Sequence, residues 1–270
     1  MVTKIIDAHS HILLNKGIEE SKEMILYSMK KYNVNYSLIS MDGTEYNDKE
    51  HFYDLVSSVK GTKIALDFAK NNMDSIGILI WIRPHKEKDA PIEELEKLII
   101  NNRNLIHGLK FHPYCSRLKV TSKLLIPYFK LARKYNLPIL VHTANDKYSS
   151  IYYLRKVALA NKDITFIAAH LELLSDNKYA IDVLKETENI YADTAWVDPK
   201  KYRLIKNRHL EDKIMFGTDN PIDGKDTLNH PWYKKYLHHK FKINDEDYEK
   251  LMYLNAKKIY KIDVTCSHHL

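Results

Sequence analysis

The chain has 270 residues, 44% of them hydrophobic and 29% charged, enough for one large domain over 1–270 that buries roughly 75% of its unfolded surface. Two cysteines, Cys115 and Cys266, exclude a disulfide framework, and no apolar stretch approaches the ~20 residues of a membrane-spanning helix. The formal net charge is +7, but the lysines are interleaved with acids in stretches such as SKEMILYSMKKY, the pattern of a solvated face and not of a polyanion groove.

The N-terminus, MVTKIIDAHSHI, opens straight into a strand without the basic and apolar regions of a leader, so a reducing cytoplasm is the expected setting. From there strand-like and helix-like segments alternate. Strands are predicted at 4–9, 36–41, 76–82, 106–112, 138–142, 164–169, 189–193 and 213–218. Helical patterns fall at about 18–32, 49–72, 91–102, 121–135, 148–161, 176–187, 198–207 and 246–260. Eight such alternations predict an α/β fold closed as a (β/α)8 TIM barrel. The rival is an open doubly wound sheet, but no Gly-rich phosphate loop follows the first strand. Pro91 suits the first turn of its helix, Pro138 separates a helix from the fifth strand, and Pro127 predicts a kink or a helix start near its own position. The long segment 43–75 is the expected place for a helical insertion after strand two.

Side chains able to ligate a metal close four of these strands. KIIDAHSH carries His9 and His11, LPILVHT carries His142, ITFIAAH carries His170, and KIMFGTD carries Asp219. Parallel barrel strands present their C-terminal tips at one rim, so distant residues can meet at one ion. Alternation along strand one would place Asp7, His9 and His11 on one face. The His-x-His pair is a weak signal alone, and a single strand-end histidine is more often structural; the ordered set carries the weight. Asp219 precedes Asn220-Pro221 and could by itself be a turn residue.

This ordered set resembles the amidohydrolase superfamily, which carries His-x-His after strand one, a His after strands five and six, and an Asp after strand eight. The similarity to the amidohydrolase-related branch that includes aminocarboxymuconate semialdehyde decarboxylase runs through DAHSHI, GLKFHP, ILVHT, AAHLE, IYADTA, FGTDNP and NAKKIYKI. The resemblance implies a divalent metal, zinc with manganese or iron as alternatives, as one or two ions. His9, His11, His142 and Asp219 would hold it with a position left for water, whose pKa a catalytic zinc lowers to ≈ 7. Asp219 would move the water's proton. His170 would polarise a carbonyl, hold the water or bind a second ion.

The expected reaction is hydrolysis of a C–O or C–N bond in a small ester, lactone or amide. Nonoxidative decarboxylation or hydration of a small acid is the first alternative, and a nuclease or phosphodiesterase the second. The TatD-type nucleases of the superfamily carry a Glu at strand four, where this chain has Lys110, and that weakens the nucleic-acid reading. Lys110 also occupies the place of the carbamylated lysine of other members; an ordinary lysine is the reading adopted. Lys110, His112, Arg83 and Arg117 are candidates to hold a substrate anion, with His85 beside Arg83. Asp7 is a candidate acceptor for an imidazole N–H or only an anchor of the strand, and Asp193 is expected either to assist or to cap a helix. A small molecule is the expected partner, with no membrane, and the resemblance allows a homodimer.

Overall fold

The computed structural model describes residues 4–46, 52–54, 56–84 and 92–263. Eight parallel strands follow one another around a sheet: Ile6–Leu13, Tyr36–Asp42, Ile76–Trp81, Ile106–Phe111, Ile139–Ala144, Phe166–Leu173, Ile190–Asp193 and Ile214–Met215. The eighth returns to the first through Ala8 N–H to Phe216 O (2.9 Å), Asp219 N–H to His9 O (2.6 Å) and His11 N–H to Asn220 O (2.8 Å). Those bonds close the sheet into a (β/α)8 TIM barrel and remove the open-sheet rival.

The strands are β-branched and apolar on both faces because both faces are covered. One face, with Ile39, Ile78, Ile80, Ile139, Val141, Ala168 and Phe216, packs under the surrounding helices. The other, with Ile6, Ala8, Leu38, Leu79, Leu140, Ile167, Ala169 and Met215, fills the barrel interior. Tyr253, Ala256, Tyr260 and Ile262 from the C-terminal helical segment pack with it. The upper interior is left to polar groups, and there the functional residues collect. Among the described residues no helix is long and apolar enough to cross a membrane.

Four expectations need correction. The stretch read as a helix at 49–72 starts with a short antiparallel pair, Thr44–Tyr46 with Phe52–Asp54, and only then the helix Ser58–Lys70. Among the described residues, what precedes that helix after strand two is an antiparallel strand pair and not a further helix. The eighth strand is a two-residue ladder, shorter than 213–218, continued by the closing hydrogen bonds above. A helix at Pro231–Leu237, started by His230 accepting from Trp232 N–H, had no counterpart in the sequence reading. The C-terminal helix is also broken by a π stretch at Lys250–Leu254. Pro127 does start its helix, Ile126–Tyr135, from the first turn; Pro91, His85 and Cys266 lie outside the described residues.

Strand six holds an unusual backbone. His170, Leu171, Glu172 and Leu174 all have positive φ, 69°, 48°, 67° and 62°, each costing an L-residue roughly 1–2 kcal/mol. Leu174 is 83% exposed, so its side chain contributes little packing to offset that cost. Leu174→Gly is expected to stabilise the protein by about 1 kcal/mol, read as a higher urea midpoint with unchanged slope.

Candidate metal centre

Three predicted groups converge at the top of the barrel. His9 Nε2 lies 3.1 Å from His11 Nε2, His11 Nε2 is 2.8 Å from Asp219 Oδ1, and His9 Nε2 is 3.2 Å from the same oxygen. All three residues are buried. The two imidazoles share a side because a register shift between Asp7 and Ser10 moves them to the interior face, with Ile6 and Ala8. That shift overturns the expected alternation. Asp7 is left on the opposite face, accepting from His9 N–H, Ser10 Oγ and Thr218 N–H and Oγ1. It ties strand one to strand eight, and its carboxylate is taken up by those donors instead of an imidazole N–H.

The role expected of Asp7 falls to Asp193 at the end of strand seven. Its Oδ2 accepts from His9 Nδ1 at 2.8 Å, and its Oδ1 accepts from the backbone N–H of His170 (2.9 Å) and Ala195 (3.0 Å). His170 Nδ1 donates to Ala195 O at 3.1 Å, and His11 Nδ1 pairs with Ser40 Oγ at 2.9 Å. Acceptors at Nδ1 fix the proton there and turn the Nε2 lone pairs of His9 and His170 inward, the arrangement that metal-ligating histidines use. Trp196 Nε1–H donates to Asp219 Oδ2 at 3.0 Å, which leaves Oδ1 to face the two histidines. A buried set of inward lone pairs and one carboxylate oxygen fits a divalent cation. His9, His170 and Asp193 also lie close together, but the aspartate's contacts there are to N–H groups, so it serves the histidines from outside.

Lys110, wholly buried, lies near the end of strand four with Nζ donating to His9 Nε2 at 2.8 Å. His142 joins neither close group of ligand atoms. Its ring stacks on His112 at 3.8 Å and meets His170 edge-on at 4.8 Å. His112 is stacked in turn on Trp81, 5.5 Å away, and its Nδ1 accepts from Cys115 N–H. Arg83 is buried, and its guanidinium donates to the carbonyls of Met41 and Trp81. Arg117 is exposed and terminates the short helix Pro113–Ser116 in a left-handed conformation. Sequence reasoning missed Ser40, Trp196 and Trp81; of the two roles it left open for Asp193, assisting at the site or capping a helix, the structure shows the first.

Burial dominates the electrostatics. It pushes Lys110 down to about 8 against the pull of Asp219, Asp193 and Asp42. It pushes His170 down to about 4 and holds His9, His112 and His142 well below the ordinary imidazole range. Burial would raise Asp219, but His9, His11 and His170 outweigh it and hold the carboxyl well below its usual range. The pKa values of His9, His112, His142 and His170 in the folded protein thus lie below the ≈ 6.5 of an unfolded imidazole. Below pH 6.5 the unfolded chain therefore binds more protons at these four histidines, which costs the metal-free protein stability as pH falls from 6.5 to about 4, while Asp7, raised by burial to about 7, and the likewise raised Asp42 and Asp193 act in the opposite direction. Each histidine contributes up to about 1.4 kcal/mol per pH unit. Urea midpoints measured in chelator across that range for wild type and His170→Gln test this: wild type should lose more stability toward low pH than the variant, and parallel profiles contradict it.

The sequence profile of the family described as amidohydrolase matches residues 6–262. The chain belongs to the amidohydrolase family. No curated protein sequence matches this amidohydrolase, but solved structures do. A 5-carboxyvanillate decarboxylase from Novosphingobium aromaticivorans, with bound manganese and 3-methoxy-4-hydroxy-5-nitrobenzoic acid, has a TM-score of 0.71 at 10% identity, covering 96% of this chain and 97% of its own. A probable 2-pyrone-4,6-dicarboxylic acid hydrolase from Acinetobacter baumannii has a TM-score of 0.67 at 9% identity, covering 96% and 100%. A 4-oxalomesaconate hydratase from Rhodopseudomonas palustris has a TM-score of 0.68 at 12% identity, covering 95% of each chain. At these identities the likeness establishes the shared barrel; reaction and substrate differ among the three.

Proposed function

We propose that this amidohydrolase is a metal-dependent hydrolase of a small-molecule ester, lactone or amide. The observation that carries the proposal is the contact of His9 Nδ1 with the Asp193 carboxylate, which turns His9 Nε2 inward beside His11 Nε2 and Asp219 Oδ1. His9, His11 and Asp219 would hold the cation, with His142 and His170 beside them. Zinc suits this nitrogen and oxygen set, and manganese or iron are alternatives. Such a cation, when bound, acidifies water and polarises an oxygen of the substrate.

The chain's own groups then have separate tasks. The Asp219 carboxylate would take a proton from the attacking water and return it to the leaving group, with Trp196 Nε1–H fixing its orientation through Oδ2. His170 presents an unprotonated Nε2, because Nδ1–H is held by Ala195 O, so it holds water as an acceptor; of its expected roles, polarising a carbonyl fits least. Lys110 places a cationic Nζ at the same centre and anchors an anionic group of the substrate. That ammonium also favours the second reading, decarboxylation or hydration of a small acid, in which it would hold a carboxylate. Many surface lysines pair with carboxylates, as Lys63 with Glu94 and Lys206 with Asp247, and no observation favours phosphodiester cleavage.

The test is to strip the protein with chelator, reload it separately with zinc, manganese or iron, and assay two panels. Metal-restored hydrolysis of an ester, lactone or amide supports the first reading. Metal-restored release of carbon dioxide from an aromatic or enoic acid, with no hydrolysis, replaces it by the second. Full activity in the stripped protein removes both.

A further inference from the structure

Strands five and six pair regularly up to His142 opposite Ala169 and resume with Ala144 opposite Leu173. Between those points one residue, Thr143, faces three, His170, Leu171 and Glu172. All three are left-handed, so this bulge is a costly backbone that persists only where its surroundings hold it. A bulge normally leaves ladder groups unpaired. Here the Thr143 hydroxyl takes the place of the missing ladder, donating to Ala169 O at 2.5 Å and accepting from Glu172 N–H at 2.9 Å.

The other exits are closed as well. Asn177 Nδ2 donates to Leu171 O at 2.7 Å, and Glu172 Oε1 accepts from Ile151 N–H at 3.2 Å, at the start of the helix that follows strand five. Thr143 itself is wholly buried. It adjoins His142 in sequence, and its two partners lie on either side of His170. One hydroxyl therefore links the backbones that carry two of the site's imidazoles, whose rings meet at 4.8 Å.

We propose that Thr143 is a positioning residue, whose hydroxyl sets His142 and His170 relative to each other and so sets the affinity and symmetry of the metal site. The inference rests on the metal-dependent reading above. It concerns a residue that touches neither cation nor substrate, so its signature is in the metal's environment and not in fold stability alone.

The test compares wild type, Thr143→Ser and Thr143→Val, each stripped and titrated with cobalt(II), reading affinity by chelator competition and geometry by visible absorption. Thr143→Val is expected to bind cobalt about 10–100-fold more weakly, as loss of groups that orient ligands typically does, with shifted absorption bands. Thr143→Ser keeps the hydroxyl and should match wild type. Where Thr143→Val does not fold, the same change is made with Leu174→Gly, which relieves an exposed left-handed residue of the same segment. A folded Val variant with wild-type affinity and bands overturns the role of Thr143 and leaves the metal reading standing. A Ser variant as impaired as Val also overturns it. Failure of the wild type to take up cobalt removes the metal reading, and the inference with it.

Discussion

Asp193→Asn is expected to lower divalent-metal affinity by about 100-fold, at the upper end of what partners of metal-ligating histidines contribute. The aspartate accepts from three donors with two oxygens: His9 Nδ1–H on Oδ2, and the His170 and Ala195 N–H groups on Oδ1. An asparagine has one acceptor oxygen and one donor nitrogen. If its oxygen keeps the two backbone N–H groups, its NH2 faces His9 Nδ1, and the imidazole must give up the Nδ1 proton. The proton then moves to Nε2, where the cation would bind. Nitrogen-15 shifts of the histidines, read beside metal titrations, should show that tautomer change at His9. Wild-type affinity with an unchanged tautomer would contradict the assignment.

Asp219→Asn should lower turnover by about a thousandfold, within the range lost with a positioned general acid–base group. It removes an anionic oxygen at 2.8 Å from His11 and 3.2 Å from His9 and leaves in its place an amide unable to hold a proton. Steady-state kinetics on the best substrate of the two panels, at saturating metal, separates lost chemistry from lost binding. A drop in kcat with little change in KM is expected. A variant within a factor of about ten of wild type would mean that another group moves the proton.

The convergence of His9, His11 and Asp219 was legible because each follows an apolar run whose C-terminal end must lie at the same rim. What period-two reasoning could not supply was the register shift in strand one. It put Asp7 on the wrong face, so that of the two roles read for it the partner of an imidazole fails and the anchor of the strand holds. Asp193 holds His9 from 184 positions away in the chain, and an aspartate before Thr194 looks in sequence like an ordinary helix cap. Trp196 reaches Asp219 from a backbone with φ 57°, a conformation that tryptophan's sequence context does not signal. The segment 49–72 has apolar spacing compatible with a helix, yet Phe52–Asp54 pairs across to Thr44–Tyr46; aromatic residues in a short segment can serve either structure. The bulge at His170 was equally hidden, since none of its left-handed residues is glycine.

The most direct measurement is anomalous diffraction from crystals of the protein soaked in manganese. A single strong peak within coordination distance of His9 Nε2, His11 Nε2 and Asp219 Oδ1 is the predicted result. Full anomalous density elsewhere, with those three groups still in contact with one another and Lys110, would contradict a catalytic metal at this centre.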